Sequence, residues 1–185
     1  MELKILTGFY NAEKYIERCL KSIQSQTHTN FICYITHDLS TDKSKEVVEN
    51  FIKEDDRFIL VKDYHKKLYQ TGNFDKTIRF NDSIKDNEDN DVWIANGSFM
   101  YSNGQNGFSQ KQEGFDNLRA VRFTASHIRT WRAFLWRSIK EEDLKDENGN
   151  YWQWSGDLCF MYPMLEMAGN EHYTFMPEIN YVYNG

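Results

Sequence analysis

The opening of the chain alternates between two hydrophobic periods, and this constrains the fold more than any other feature. "LKILTG" reads as a short strand. From Asn11 onward Ala12, Tyr15, Ile16, Cys19, Leu20 and Ile23 recur at the spacing of one helical face, with Asn11 as the natural N-cap. "FICYITHD" supplies a second strand. Behind it a Ser-Thr-Asp cap cluster leads into Ser44, Val47, Val48, Phe51 and Ile52, again at helical spacing, and "RFILVKD", Arg57 to Asp63, gives a third strand. Strands alternating with helices of this length predict βαβ units, a parallel sheet and right-handed crossovers. Ligands of such sheets bind beyond the carboxyl ends of the strands.

That rule directs attention to two short segments. Gly8 to Asn11 follow the first strand and "HDLSTDKS", His37 to Ser44, closes the second, so both belong at the same rim. Ser40, Thr41 and Asp42 read as helix caps whatever else they do. Asp38 stands before the cap at a strand end, where a carboxylate needs a partner. It can accept hydrogen bonds from a base or ribose, while the adjoining helix N-terminus favours an anion.

Composition narrows the classes of function. A chain of 185 residues, 40% hydrophobic and 16% aromatic, is globular and long enough for one good core. Its net charge of -6 excludes a general nucleic-acid binder, which needs a basic stripe to displace counterions. Acidity does not exclude an anionic ligand, since a metal can bridge it to carboxylates. Cys19, Cys33 and Cys159 are far apart and lack metal-type spacing, so they read as reduced thiols of a cytosolic chain. "MELKILTGFY" lacks a signal-peptide pattern and no apolar run reaches membrane-spanning length. The expectation is a cytoplasmic protein without a transmembrane segment, either free or peripheral to the inner face of the membrane.

"ILTGFYNAEKYIERCLKSIQSQ" followed by "YITHDLSTDKSKEVV" resembles the opening of family 2 glycosyltransferases of the GT-A fold. Their pattern is an apolar strand, a Tyr-Asn turn, a helix with "CL.SI..Q" and a strand ending in "DDGSTD.S". "YQTGNFDKTIR" is similar to the Asn-containing stretch after the family's third strand. "ASHIRTWRAFLW", "GDLCFMYPMLEMAG" and "INYVYN" resemble the acceptor side of a bacterial or viral subgroup. The resemblance covers nearly the whole chain. It implies one GT-A-like domain over residues 1–185, with a Rossmann-related, mostly parallel sheet flanked by helices. Residues 1–80 would be the nucleotide-sugar-binding half, and residues 91–185 an acceptor half of α+β character. By the same resemblance Tyr10 and Asn11 border the nucleotide, Asp38 contacts the base, and Asn73 lies near the ribose or diphosphate. His37 stands where many relatives have the first aspartate of a pair, and it reads as a solvated loop histidine. The implied reaction is inverting transfer from a nucleotide sugar, a UDP-sugar first among candidates, to a glycan or lipid-linked acceptor of surface polysaccharide.

The family also implies a divalent metal, Mn or Mg, held by a D-x-D motif at the end of a fourth strand. In this chain "TIRFNDSIKDNEDNDVWIANG" runs from the helix of Phe74 and Ile78 into the next strand with no apolar strand and D-x-D between, as if a block were absent near Phe80 and Asn81. "DND", Asp89 to Asp91, has the spacing of a carboxylate pair but precedes a strand instead of following one. It reads as a solvated turn, so the metal ligands stay unassigned.

The second half is richer in aromatics. "YSNGQNGFSQKQEGFDN", Tyr101 to Asn117, is either a functional loop or a hairpin excursion. Arg119, Arg122, Arg129, Arg132 and Arg137 supply local positive charge. Arg132 and Arg137 fit the polar face of an amphipathic helix over "HIRTWRAFLWRSI", whereas Arg129 is a candidate for the nucleotide sugar and His127 for the acceptor, through the resemblance of this segment. Inverting transfer needs a base for the acceptor hydroxyl, and Asp157 matches the family's acidic position at a helix start. Asp157 could equally cap that helix. Glu166 is the runner-up for the base, though its mid-helix position favours a structural role, and Trp152 and Trp154 can stack on an acceptor sugar. Two classes of function remain open: an active transferase, or a degenerate relative that binds without catalysis. A nucleotidyltransferase using the same rim is a third.

Overall fold

A computed structural model describes residues 2–61, 66–80 and 91–183. The chain forms two compact units, residues 1–84 with 141–157, and residues 85–140 with 158–185.

The first unit is built on three parallel strands in the order β1 (Leu3–Phe9), β2 (Phe31–His37) and β3 (Phe58–Leu60). The expected alternation is present, with α1 (Ile16–Gln24) and α2 (Ser44–Phe51) as the connecting helices. Period-2 alternation along β2 sends Phe31, Cys33 and Ile35 to one face, where Ile16 and Leu20 of α1 and Val48 and Phe51 of α2 complete an apolar cluster. Phe31, Phe51 and Phe58 meet edge to face, with ring centroids 5.1 and 5.7 Å apart. The buried stripe of α1 is narrower than its apolar spacing predicts: Tyr15 and Cys19 are exposed.

A third helix, α3 (Tyr69–Phe80), contributes buried Phe74 and Ile78 and packs along β1 and β2, so β2 is buried almost throughout. α3 is described as far as Phe80, and the expected seam at Phe80 and Asn81 falls at the edge of the described residues. "DND" falls outside the described residues except for Asp91. β1 bonds to β2 alone, and no described strand pairs along its other edge.

In the second unit β4 (Ile94–Tyr101) runs between β5 (Arg129–Trp131, antiparallel) and β6 (Tyr173–Tyr183, parallel). Part of the helix expected over "HIRTWRAFLWRSI" is therefore strand: residues 129–131 pair with β4, and α4 covers only Ala133–Ser138. Trp136 of α4 is fully buried against Phe160 of α5 (Gly156–Ala168), their rings 4.7 Å apart. The segment 101–117 opens as a hairpin, with Met100 bridged to Asn106, and is then anchored by buried Ser109 and Gln112. Gln112 N–H donates to Tyr173 Oη at 2.7 Å, and that hydroxyl donates to Asn96 Oδ1 at 2.6 Å. No described helix is long and apolar enough to cross a membrane.

Candidate functional site

The register of the first sheet aligns Phe9 with His37, so β1 and β2 end together and their loops leave side by side. Hydrogen bonds lace the two loops into one platform. Asn11 N–H donates to Ser40 Oγ at 3.0 Å, Ala12 N–H to Ser44 Oγ at 2.7 Å and Glu13 N–H to Asp42 Oδ2 at 3.1 Å. In return Thr41 N–H donates to Asn11 Oδ1 at 2.8 Å and Lys43 N–H to Glu13 Oε2 at 2.9 Å. Asn11 is thus not the cap of α1, which begins at Ile16 after a turn over Ala12 to Tyr15. It spans the loops in the left-handed region, φ 47, a conformation asparagine tolerates better than most residues. Leu39, where the family pattern has glycine, is also left-handed, at φ 59.

Asp42 closes the platform through Ser44 as well as Glu13, accepting Ser44 N–H at 3.0 Å and the Ser44 hydroxyl. Desolvation works to raise the pKa of Asp42, and the bonds from Ser44 and Glu13 outweigh it, so its carboxyl titrates below the usual range.

His37 corrects an expectation. It is 8% exposed, not solvated. Its ring stacks on Phe9 with centroids 5.1 Å apart, and Nε2 accepts Ser40 N–H at 2.8 Å. The histidine shapes the turn that presents Asp38.

Asp38 is 7% exposed, and three donors converge on one of its oxygens. Leu68 N–H, Tyr69 N–H and Asn73 Nδ2 donate to Oδ1 at 2.8, 3.1 and 3.0 Å. These tie β2 to the start of α3, whose first amides have no partner within the helix. Asn73 also donates to Tyr69 O at 2.8 Å. With Oδ1 committed, Oδ2 is the oxygen left for a ligand. Tyr10, 49% exposed, stands beside this cluster with Lys67 Nζ 3.4 Å from its ring centroid. Tyr10, Asn11, Asp38 and Asn73 are therefore gathered at one rim.

A second set of site residues reaches the same unit on the segment 141–157. Its anchor is Tyr151, whose hydroxyl lies 2.8 Å from Asp75 Oδ2 and 2.9 Å from Glu141 Oε1. Burial first, then the neighbouring Asp75 carboxylate, pushes the Tyr151 pKa up. Lys145 and Lys76 donate to Glu141 Oε1 at 2.7 and 3.2 Å, and with Tyr151 they hold its pKa down at about 2. Gly72 is small because Tyr151 lies on it: a Cβ there would fall 2.5 Å from the ring. Gly156 is crowded likewise, its would-be Cβ 2.3 Å from Thr71 Oγ1. Asp157 follows, half-buried and one residue inside α5, so it belongs to the first turn and not to the N-cap. Trp152 and Trp154 are 43% and 78% exposed.

His127 and Arg129 belong to the second unit, at β5. His127 stacks on Tyr181 with centroids 5.4 Å apart, and Arg129 Nε donates to Ala125 O at 3.1 Å. Glu166 is held in an exposed ion pair by Arg119, at 2.6 and 3.0 Å. Arg137 is exposed at the end of α4.

The family's divalent metal finds no donor set among the described residues. Among the described residues no cluster of three His, Cys, Asp or Glu could hold an ion, and Asp38 Oδ1 is occupied by N–H donors. Sequence reasoning missed the cleft of about 340 Å³ beside Asp38, lined by Lys66, Lys67, Tyr69, Asp146, Asn150 and Tyr151 among others. Its only signal in the sequence was the pair of lysines in "HKKLY".

Comparison with known proteins agrees with this architecture. Residues 5–83 match the profile of "Glycosyl transferase family 2". The chain is 43% identical over 58 residues to the teichoic acid poly(glycerol phosphate) polymerase of Staphylococcus epidermidis, covering 31% of this chain and 8% of that protein. Against a GalNAc(5)-diNAcBac-PP-undecaprenol beta-1,3-glucosyltransferase of Campylobacter jejuni it is 31% identical over 71 residues, 38% of this chain and 22% of the relative. The crystal structure of S. aureus TarS 1-349 in complex with UDP-GlcNAc superimposes with a TM-score of 0.69 at 15% identity, over 100% of this chain and 59% of TarS. The chain thus spans less than a quarter of these two curated relatives and somewhat over half of the solved structure. Residues 5–83 thus match glycosyl transferase family 2, and the chain has the α/β fold shared with TarS.

Proposed function

We infer that this chain is a glycosyltransferase acting in surface polysaccharide synthesis, with a UDP-sugar as donor and a glycan or lipid-linked chain as acceptor. The observation that carries this reading is Asp38: a buried carboxylate at the carboxyl rim of a parallel sheet, with Oδ1 fixed by three donors and Oδ2 open beside an exposed tyrosine. Oδ2 is suited to the ring N–H of a uracil, and Tyr10 to its face. The UDP-GlcNAc complex of TarS, the teichoic acid polymerase and the undecaprenol-named glucosyltransferase support the donor and acceptor classes. Asp157 is the base that takes the acceptor hydroxyl proton as its oxygen bonds to the anomeric carbon and the nucleoside diphosphate leaves from the opposite face, a single displacement that makes the transfer inverting. Trp152 and Trp154 present faces to an acceptor sugar, His127 contributes to the acceptor and Arg129 to the donor.

Calorimetric titration of the chain with UDP tests the reading. Binding is expected, with Asp38→Asn weakening it at least about tenfold while the fold persists, because the amide oxygen still accepts from Leu68 and Tyr69 but an N–H replaces Oδ2 as acceptor. A folded wild type that ignores UDP would sink the proposal. A second reading, binding without turnover, draws on the lack of a metal donor set among the described residues. A radiolabelled transfer assay separates it from the first.

A further inference from the structure

We propose that Lys66 and Lys67 bind the diphosphate of the nucleotide donor, supplying in this chain the positive charge that a metal ion supplies elsewhere; the inference rests on the nucleotide reading above. A diphosphate brought next to Asp38 meets like charge and needs a counter-charge close by. The described residues hold no carboxylate cluster to carry a cation. They do hold two adjacent ammonium groups at the right place. Leu68 and Tyr69, whose N–H groups fasten Asp38, follow Lys67 directly in the chain and line the same cleft as both lysines. Base-recognising carboxylate and cationic wall are thus one continuous structure.

The electrostatic state of the pair favours a ligand. Both lysines are exposed, and neither forms an ion pair among the described residues. Lys67 Nζ rests on rings instead, 3.4 Å from the Tyr10 centroid and 5.5 Å from that of Tyr69, which orients an ammonium without neutralising it. The contrast lies in the same unit: Lys76 and Lys145 are consumed by Glu141. Among the described residues Asp146 is the one carboxylate lining the cleft, and its Oδ1 accepts Asn148 N–H and Asn150 N–H at 2.9 Å. A base stacking on Tyr10 takes the face Lys67 covers and frees the ammonium for the phosphates of the same ligand.

The test titrates the 185-residue chain with uridine and with UDP, in chelator and at two salt concentrations, for wild type, Lys67→Gln, Lys66→Gln and Lys67→Arg. Lys67→Gln should weaken UDP about tenfold and leave uridine unchanged, Lys66→Gln should act in the same direction, and Lys67→Arg should retain most of the affinity. The UDP affinity of wild type should fall with salt more steeply than that of either glutamine variant. Unchanged UDP binding in both glutamine variants would overturn the inference while leaving the nucleotide reading intact, the lysine then being a solvated side chain resting on a ring. Stronger binding of uridine and UDP alike in Lys67→Gln would overturn it too, making Lys67 a cover for Tyr10. Failure of wild type to bind either ligand would overturn both proposals.

Discussion

Asn11 Oδ1 accepts the N–H of Thr41 at 2.8 Å, joining residues thirty positions apart across the rim of the first sheet. The bond needs both the asparagine acceptor and its left-handed backbone, φ 47. Asn11→Ala loses the acceptor and keeps the strain, and should cost about 1–2 kcal/mol in urea unfolding. Asn11→Gly relieves the strain but not the lost bond, and Asn11→Asp keeps both bond and backbone. The expected order of stability is Asp above Gly above Ala. An alanine variant as stable as wild type would show that the platform does not depend on this bond.

Leu39 reverses the argument. It is an apolar residue, 38% exposed, held at φ 59. Leu39→Gly removes a left-handed penalty of about 1–2 kcal/mol and gives most of it back in chain entropy and lost side-chain contact, for a net gain of no more than roughly 0.5 kcal/mol. Chemical denaturation reads the gain. UDP affinity should stay where it is, since the contacts of Asp38 do not involve the Leu39 side chain.

The alternation of strand and helix was legible because each element buries one face, and burial writes its period into the chain. The rim carrying Asn11 and Asp38 followed from that alternation alone. What escaped notice depends on partners distant in sequence. Asn11 looks like a helix cap until Thr41 is placed opposite it. Residues 129–131 have a helical pattern until β4 offers them a ladder, and His37 looks like a loop residue until Phe9 stacks on it. The Tyr151 anchor joins segments seventy-six residues apart, and no local period encodes such a contact.

That anchor predicts a pH response. The pKa of Glu141 is depressed from its usual 4.5 to about 2, chiefly by bonds from Lys145, Tyr151 and Lys76. A depressed carboxylate contributes stability that is complete above its unfolded value and is lost as pH falls through the folded one. Hydrogen exchange over residues 141–157 should therefore accelerate as pH falls from 4.5 towards 2, beyond the intrinsic pH dependence of exchange. The effect should be modest, because Glu141 is more than a third exposed. Tyr151→Phe removes the hydroxyl and should raise exchange in the same segment at neutral pH. Protection identical in wild type and Tyr151→Phe would remove the anchor's role.

Asp157, one residue inside α5, is placed to be either a base or a carboxylate serving the helix dipole. The two roles separate in kinetics. As the base, Asp157→Asn lowers turnover by about 10²–10⁴ with UDP affinity and melting temperature nearly unchanged, because only the transition state uses its proton affinity. As a structural carboxylate it lowers the melting point and slows turnover only in proportion to unfolded protein. A variant that loses stability and UDP affinity together would settle for the second role.

The metal provides the last test. Asp38 Oδ1 is already taken by three N–H donors, and the described carboxylates form no cluster around an ion. A ligand at one hundred times its dissociation constant stabilises the native state by about 2.7 kcal/mol, enough for a visible thermal shift. UDP should give that shift, and Mn²⁺ should add little to it. Asp91→Ala and Asp89→Ala, in the acidic stretch of sequence before β4, should leave the result as it was. A large shift that requires Mn²⁺ and disappears in either alanine variant would make those aspartates the metal site, and the diphosphate would then owe its counter-charge to the ion and not to Lys66 and Lys67.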